Sequence, residues 1–200
     1  DVLSGKNADA HRVLEAAIAR EPRNAEALVT LGRLHLSEGN SINALTTLQK
    51  AVQADPRSVP AQVALGQTYE LRGANKEAMA AYNEALKIDG KHLDGRLGLA
   101  RVQINNGQAA DAVPLALNIV NDHPNNAEAR LLLLHGLIAV NDIVQAEHQL
   151  GVLMKALPNA PAVQNAAGML ATAKNDHAGA RAAYSRALES DPRSYQALAG

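Results

Sequence analysis

The sequence predicts an all-α solenoid of antiparallel helix pairs, and three observations carry that prediction. Prolines at 22, 56, 124, 158 and 192, with Gly90 at the missing step, fall on a strict 34-residue ladder. A period of that length marks stacked helix–turn–helix units. Small and apolar columns repeat in the same register: Ala10, Ala44, Ala78, Ala112, Ala146 and Ala180, then Leu14, Leu48, Tyr82, Ala116, Leu150 and Tyr184. A breaker column of Gly5, Gly39, Gly73, Gly107, Asn141 and Asn175 divides each unit into two halves.

Taken in order, residues 1–24 supply a second helix without its first. Complete pairs then occupy 25–58, 59–92, 93–126, 127–160 and 161–194, and residues 195–200 begin a further first helix. In 25–38, Leu28, Leu31 and His35 follow the i, i+3, i+7 spacing of one helix face. In 41–54, Ala44, Leu45, Leu48, Ala51 and Val52 do the same. Asn40 and Asn75 can cap second helices, Gly39 and Gly73 can take the left-handed turn, and Pro56 ends its unit. First helices carry Leu31, Leu65, Leu99, Leu133 and Ala167, followed by Gly32, Gly66, Ala100, Leu134 and Gly168. Small residues at Gly32 and Ala44 let paired backbones approach closely, at a crossing of roughly +20°. Three departures stand out. In the first helix of 161–194, Ala166, Ala167, Gly168, Ala171 and Ala173 offer little bulk to bury and predict the readiest opening. Pro114 inside a second helix is expected to kink it, and Leu134 in a Gly/Ala column is expected to push the helices of its unit apart.

The ladder and columns resemble the tetratricopeptide repeat family, whose pattern runs L-G, Y, a turn, then A, F, A and P. The resemblance covers nearly the whole chain. It implies one continuous array, 1–200, wound as a right-handed superhelix and acting as a non-catalytic interaction scaffold. A repeat array packs each unit only on its neighbours. The chain begins without Met and both ends fall inside a unit, so a fragment of a longer array is expected. Apolar residues such as Leu3, Val13 and Leu14 would then be uncovered at one end, a route to self-association.

Bulk composition excludes several classes. A net charge of −1 with acids and bases interspersed leaves no basic footprint for nucleic acid. The apolar run from Leu131 to Leu134, resuming after Gly136, falls far short of the roughly 20 residues that span a membrane. There is no cysteine, hence no disulfide or thiol chemistry, and this composition fits the cytoplasm and the periplasm equally. Only four aromatic residues occur: Tyr69, Tyr82, Tyr184 and Tyr195. Less apolar area is buried per unit, so stability should lean on contacts between units.

No catalytic motif is present: no G-x-S-x-G, no P-loop, no H-E-x-x-H. No enzyme activity, cofactor or metal is therefore expected. The histidines (His11, His35, His92, His123, His135, His148 and His177) form no i, i+3 or i+4 pairs among themselves and are read as ordinary helix residues. Glu26, Asp94 and Glu128, at second positions of first helices, favour the helix dipole by about 0.3–1 kcal/mol each.

The resemblance implies that first helices line the concave face, with their fifth and ninth positions pointing into it. The fifth positions are Val29, Val63, Leu97, Leu131 and Asn165; the ninth are Arg33, Gln67, Arg101, His135 and Met169. Four residues apart, the two columns share a helix face. The expected partner is a protein or peptide, laying apolar groups on the first column and polar groups on the second. Some members of the family hold a C-terminal carboxylate with Lys at the fifth and Asn at the ninth position. Val29 with Arg33 and Val63 with Gln67 lack that clamp, which argues against a chaperone-tail adaptor. Two alternatives are a spacer or assembly platform in a bacterial envelope complex and an accessory region of an enzyme. For the first, the Ala-rich texture is similar to lipoproteins and secretin-associated proteins of exopolysaccharide export. For the second, the catalytic domain would lie elsewhere.

Overall fold

A computed structural model describes the backbone of residues 2–192 and the side chains of residues 7–192. The helix start expected at 195–200, Tyr195, the end of the 161–194 unit and the Leu3 side chain lie outside the described residues. Among the described residues there are eleven α-helices and no strand: α1 (Val2–Arg20), α2 (Ala25–Ser37), α3 (Ser41–Ala54), α4 (Val59–Leu71), α5 (Asn75–Ile88), α6 (Leu93–Asn105), α7 (Ala109–Asp122), α8 (Ala127–Ala139), α9 (Ile143–Ala156), α10 (Pro161–Ala173) and α11 (His177–Ser190). The chain divides into two compact units, Asp1–Val102 and Gln103–Gly200. In the first, α2 packs on α3 and α4 on α5, with α1 against α2; in the second, α7 packs on α8, α8 on α9 and α10 on α11.

The turns follow from the breaker column. Gly39, Gly73, Gly107, Asn141 and Asn175 all have positive φ, 60–76°, where only Gly and Asn sit at low cost. Each closes a Schellman motif: Gly39 N–H reaches Leu36 O at 3.0 Å and Asn40 N–H reaches His35 O at 2.8 Å. The same pair of bonds recurs at Asn175 and Asp176, to Thr172 O and Ala171 O, both 2.9 Å. Gly5 departs from its column, since α1 runs through it without a break. Glycine permits the left-handed turn and does not impose it. Asn40 caps α3 through Asn43 N–H, as expected. Asn75 does not cap α5; Ala74 holds the cap position without a side-chain bond, and Asn75 is the first helical residue.

The proline ladder works through the residue before it. Asp55 ends α3 in an extended conformation, φ −137° and ψ 95°, as a residue preceding proline must. Its carboxylate then accepts Arg57 N–H at 2.9 Å. Asp89 repeats both features, φ −132° with Lys91 N–H at 3.0 Å, which is why Gly90 can stand in for proline. A column invisible to the hydrophobic pattern completes these turns. Gln62, Arg130 and Gln164, each at the fourth position of a first helix, donate back to the carbonyls of Pro56, Pro124 and Pro158.

Within pairs, a knob on the second helix fills a hole left by glycine on the first. A Cβ added at Gly32 would lie 2.5 Å from Leu48 Cγ, and one at Gly168 would lie 2.5 Å from Tyr184 Cε1. Leu134 removes that hole. It is itself fully buried, and the matching knob, Leu150, stays half-buried. Pro114 is the sixth residue of α7, and the helix continues through it to Asp122.

Candidate functional site

The two columns assigned to the first-helix face separate in the structure. Val29, Val63 and Leu97 are 6%, 0% and 4% exposed, and Asn165 is 4% exposed. Leu131 is half-buried. Val29 joins Leu28, Ala51 and Ala61 in one core cluster. At Val29, Val63 and Leu97 the aliphatic column thus packs between helices, while Leu131 keeps partial access. The reason is angular, because a residue four further along a helix has turned about 40° beyond its starting direction. That is enough to carry one column into the seam and leave the other at its rim.

The ninth column keeps more access. Arg33 is exposed, Gln67 and His135 are half-buried, and Met169 is 37% exposed. In the first unit, α2 and α4 thus present Arg33 and Gln67 to solvent. Arg101 on α6 is engaged. Its Nε donates to Glu70 Oε1 at 2.6 Å and its Nη2 to Glu70 Oε2 at 3.2 Å. Tyr82 Oη donates to Glu70 Oε2 at 3.0 Å. Burial, and then the Glu70 carboxylate, push the Tyr82 phenol far above its ordinary pKa, so it stays a donor throughout the working range. The network ties α4, α5 and α6 together and neutralises Arg101, so Arg33 is the more available cation for a ligand. Glu70 was absent from the candidate residues. The signal lay in its column, where it replaces Leu36, Ile104, Ile138 and Thr172.

Two histidines depart from the ordinary surface reading. His135 Nε2 is buried without a hydrogen-bond partner, and burial holds the imidazole below its usual pKa. The folded chain then resists protonation that the unfolded chain accepts. The contribution of His135 is fully present above the unfolded pKa of about 6.5 and is lost as pH falls towards the lower folded value. We expect His135→Met to lose less stability than wild type between about pH 7.5 and about pH 5.5, measured by urea unfolding. Equal losses would place the pH dependence elsewhere. His35 lies beside His11, ring centroids 5.0 Å apart, a proximity between helices that spacing along the chain does not reveal.

The second unit carries clefts of about 450 Å³ on α10–α11, bordered by Thr172, His177 and Arg181, and about 300 Å³ between α9 and α10, bordered by Glu147, Met154 and Lys174. No helix among the described residues is long and apolar enough to cross a membrane.

Tetratricopeptide repeat models match the sequence over residues 4–59, 31–92 and 136–198, and over 71–122. No curated protein sequence matches significantly. Among solved structures, a tetratricopeptide repeat protein from Parabacteroides merdae is similar with a TM-score of 0.82 at 19% identity, covering 94% of this chain and 75% of that one. Pseudomonas aeruginosa pilF gives a TM-score of 0.78 at 17% identity, covering 99% and 90%. YrrB, a repeat protein described as having an unusual peptide-binding site, gives 0.72 at 22% identity, covering 93% and 96%. These likenesses concern the fold. With the repeat register, the helix pairs and the family match in agreement, the chain belongs to the tetratricopeptide repeat family and is built as a protein–protein interaction scaffold.

Proposed function

We propose that this scaffold is non-catalytic and captures a peptide or a helix of a partner protein on its first-helix faces, through the ninth column. The observation that carries this reading is the split between columns: Val29, Val63, Leu97 and Asn165 are buried, while Arg33 and Met169 are exposed and Gln67 is half-buried. Arg33 supplies an uncompensated guanidinium suited to a carboxylate or a backbone carbonyl, and Met169 an adaptable apolar contact. The peptide-binding site of YrrB, a structural relative, is consistent with this use of the fold.

The test is capture of partners from the native host by the wild-type chain and by a double variant, Arg33→Glu with Gln67→Glu. Both sites leave the Glu70–Arg101–Tyr82 network intact, which Arg101→Glu would not. A partner held by wild type should bind the folded variant at least about 2 kcal/mol more weakly, the size of a hot-spot loss. Equal retention by both would move the interface off this face and favour a spacer or assembly platform.

A further inference from the structure

We infer that His11, His35 and Glu38 form a binding site for one borderline divalent cation, Zn²⁺ being the reference case, bridging α1 to the C-terminal end of α2. His11 comes from α1, His35 from the last turn of α2, and Glu38 from the residue that caps α2. His11 Nε2 lies 2.9 Å from Glu38 Oε2, and His35 Nδ1 lies 3.9 Å from the same oxygen. All three ligand atoms fall within 4.8 Å of one another, the one such set of three His, Asp or Glu side chains among the described residues.

Bond lengths of about 2.0–2.2 Å in a tetrahedral shell put neighbouring ligand atoms about 3.3–3.6 Å apart. The observed 2.9 and 3.9 Å straddle that value, so small side-chain rotations would complete the geometry. The rings are tilted 45° to each other and are not stacked. Two imidazoles with one carboxylate suit Zn²⁺ and its neighbours in the Irving–Williams order, and suit Mg²⁺ or Ca²⁺ poorly. Three protein ligands also leave a coordination position open to water or to a side chain of another molecule.

A simple ion pair between His11 and Glu38 accounts for less. It uses the 2.9 Å contact but leaves His35 Nδ1, a buried atom, without a hydrogen-bond partner. Buried polar atoms are normally satisfied, and a metal would satisfy this one.

The experiment is calorimetric titration of ZnCl₂ into the full chain, free of any histidine tag, beside His11→Ala, His35→Ala and Glu38→Gln. We expect saturable one-site binding by wild type, weakened at least about 100-fold in each histidine variant and clearly weakened in Glu38→Gln, with Mg²⁺ unable to compete. Absence of saturable binding, or binding that survives both histidine substitutions, would overturn the proposal. Circular dichroism checks that each variant remains helical. Should one unfold, carbethoxylation of the wild-type chain decides: Zn²⁺ must protect His11 and His35 in preference to the remaining histidines, and uniform modification would count against the site.

Discussion

Replacing Tyr82 with alanine is expected to destabilise the first unit by about 3–5 kcal/mol, the range for deleting a buried aromatic ring. Tyr82 is fully buried, and its ring is enclosed by helix backbone. A Cβ added at Gly66 would lie 2.7 Å from its Cε1, and one at Gly98 would lie 2.3 Å from its Cζ. Walls made of backbone cannot collapse into a void as flexible side chains can, so the cavity should persist. The truncation also removes the 3.0 Å bond to Glu70. Tyr82→Phe isolates that bond and should cost about 1.5–3 kcal/mol, as for a hydrogen bond to a charged acceptor. Urea unfolding of the two variants measures both terms. A loss under about 1 kcal/mol in Tyr82→Ala would show that α4 and α6 close over the gap.

The second large effect is the reverse substitution, Gly98→Ala. In an isolated helix this change gains about 1 kcal/mol. Here the new methyl would stand 2.3 Å from Tyr82 Cζ and 2.7 Å from its Oη. The ring cannot recoil, because Gly66 backs it from α4. Overpacking of this kind costs about 1–3 kcal/mol or more, so a net loss is expected despite the better propensity. A double-mutant cycle makes the cause explicit. In a Tyr82→Leu background the shorter side chain should not reach Gly98, and Gly98→Ala should become neutral or stabilising. The expected coupling is about 1–3 kcal/mol. Additive losses would mean that Gly98 is needed for some other reason.

The repeat register contained the basis of this prediction. Knob residues Leu48, Tyr82, Ala116 and Leu150 have Ala64, Gly98, Leu132 and Ala166 sixteen residues later. The bulkiest knob is matched with Gly and the smallest with Leu, as close packing at constant total volume requires. Leu48 and Ala64 share one core cluster, and Tyr82 meets Gly98 directly. Composition alone indicated a poor aromatic core; the compensation between columns shows how it is filled.

Much of the candidate site was less legible. The choice of first helices rested on the family resemblance, and within them the sequence could not separate the fifth column from the ninth. Both lie on one side of an amphipathic stripe, and their accessibility depends on the angle at which the next helix arrives. Arg101 was legible as a cation, while its partner Glu70 comes from another helix. The cluster of His11, His35 and Glu38 was hidden for the same reason, since a search for i, i+3 and i+4 histidine pairs examines one helix at a time.

What the sequence by itself determined is local: the helix pairs, their turns and their ends. Schellman glycines and asparagines, Asx and pre-proline residues, and knob-and-hole columns act over a few residues or one repeat, and each recurs in register. The tertiary structure decided which side of each first helix stays open, which charges are compensated, and where side chains from different helices converge. Those outcomes depend on degrees of helix rotation and tenths of an ångström in packing. Many sequences with the same 34-residue period would satisfy the local rules and differ in all three.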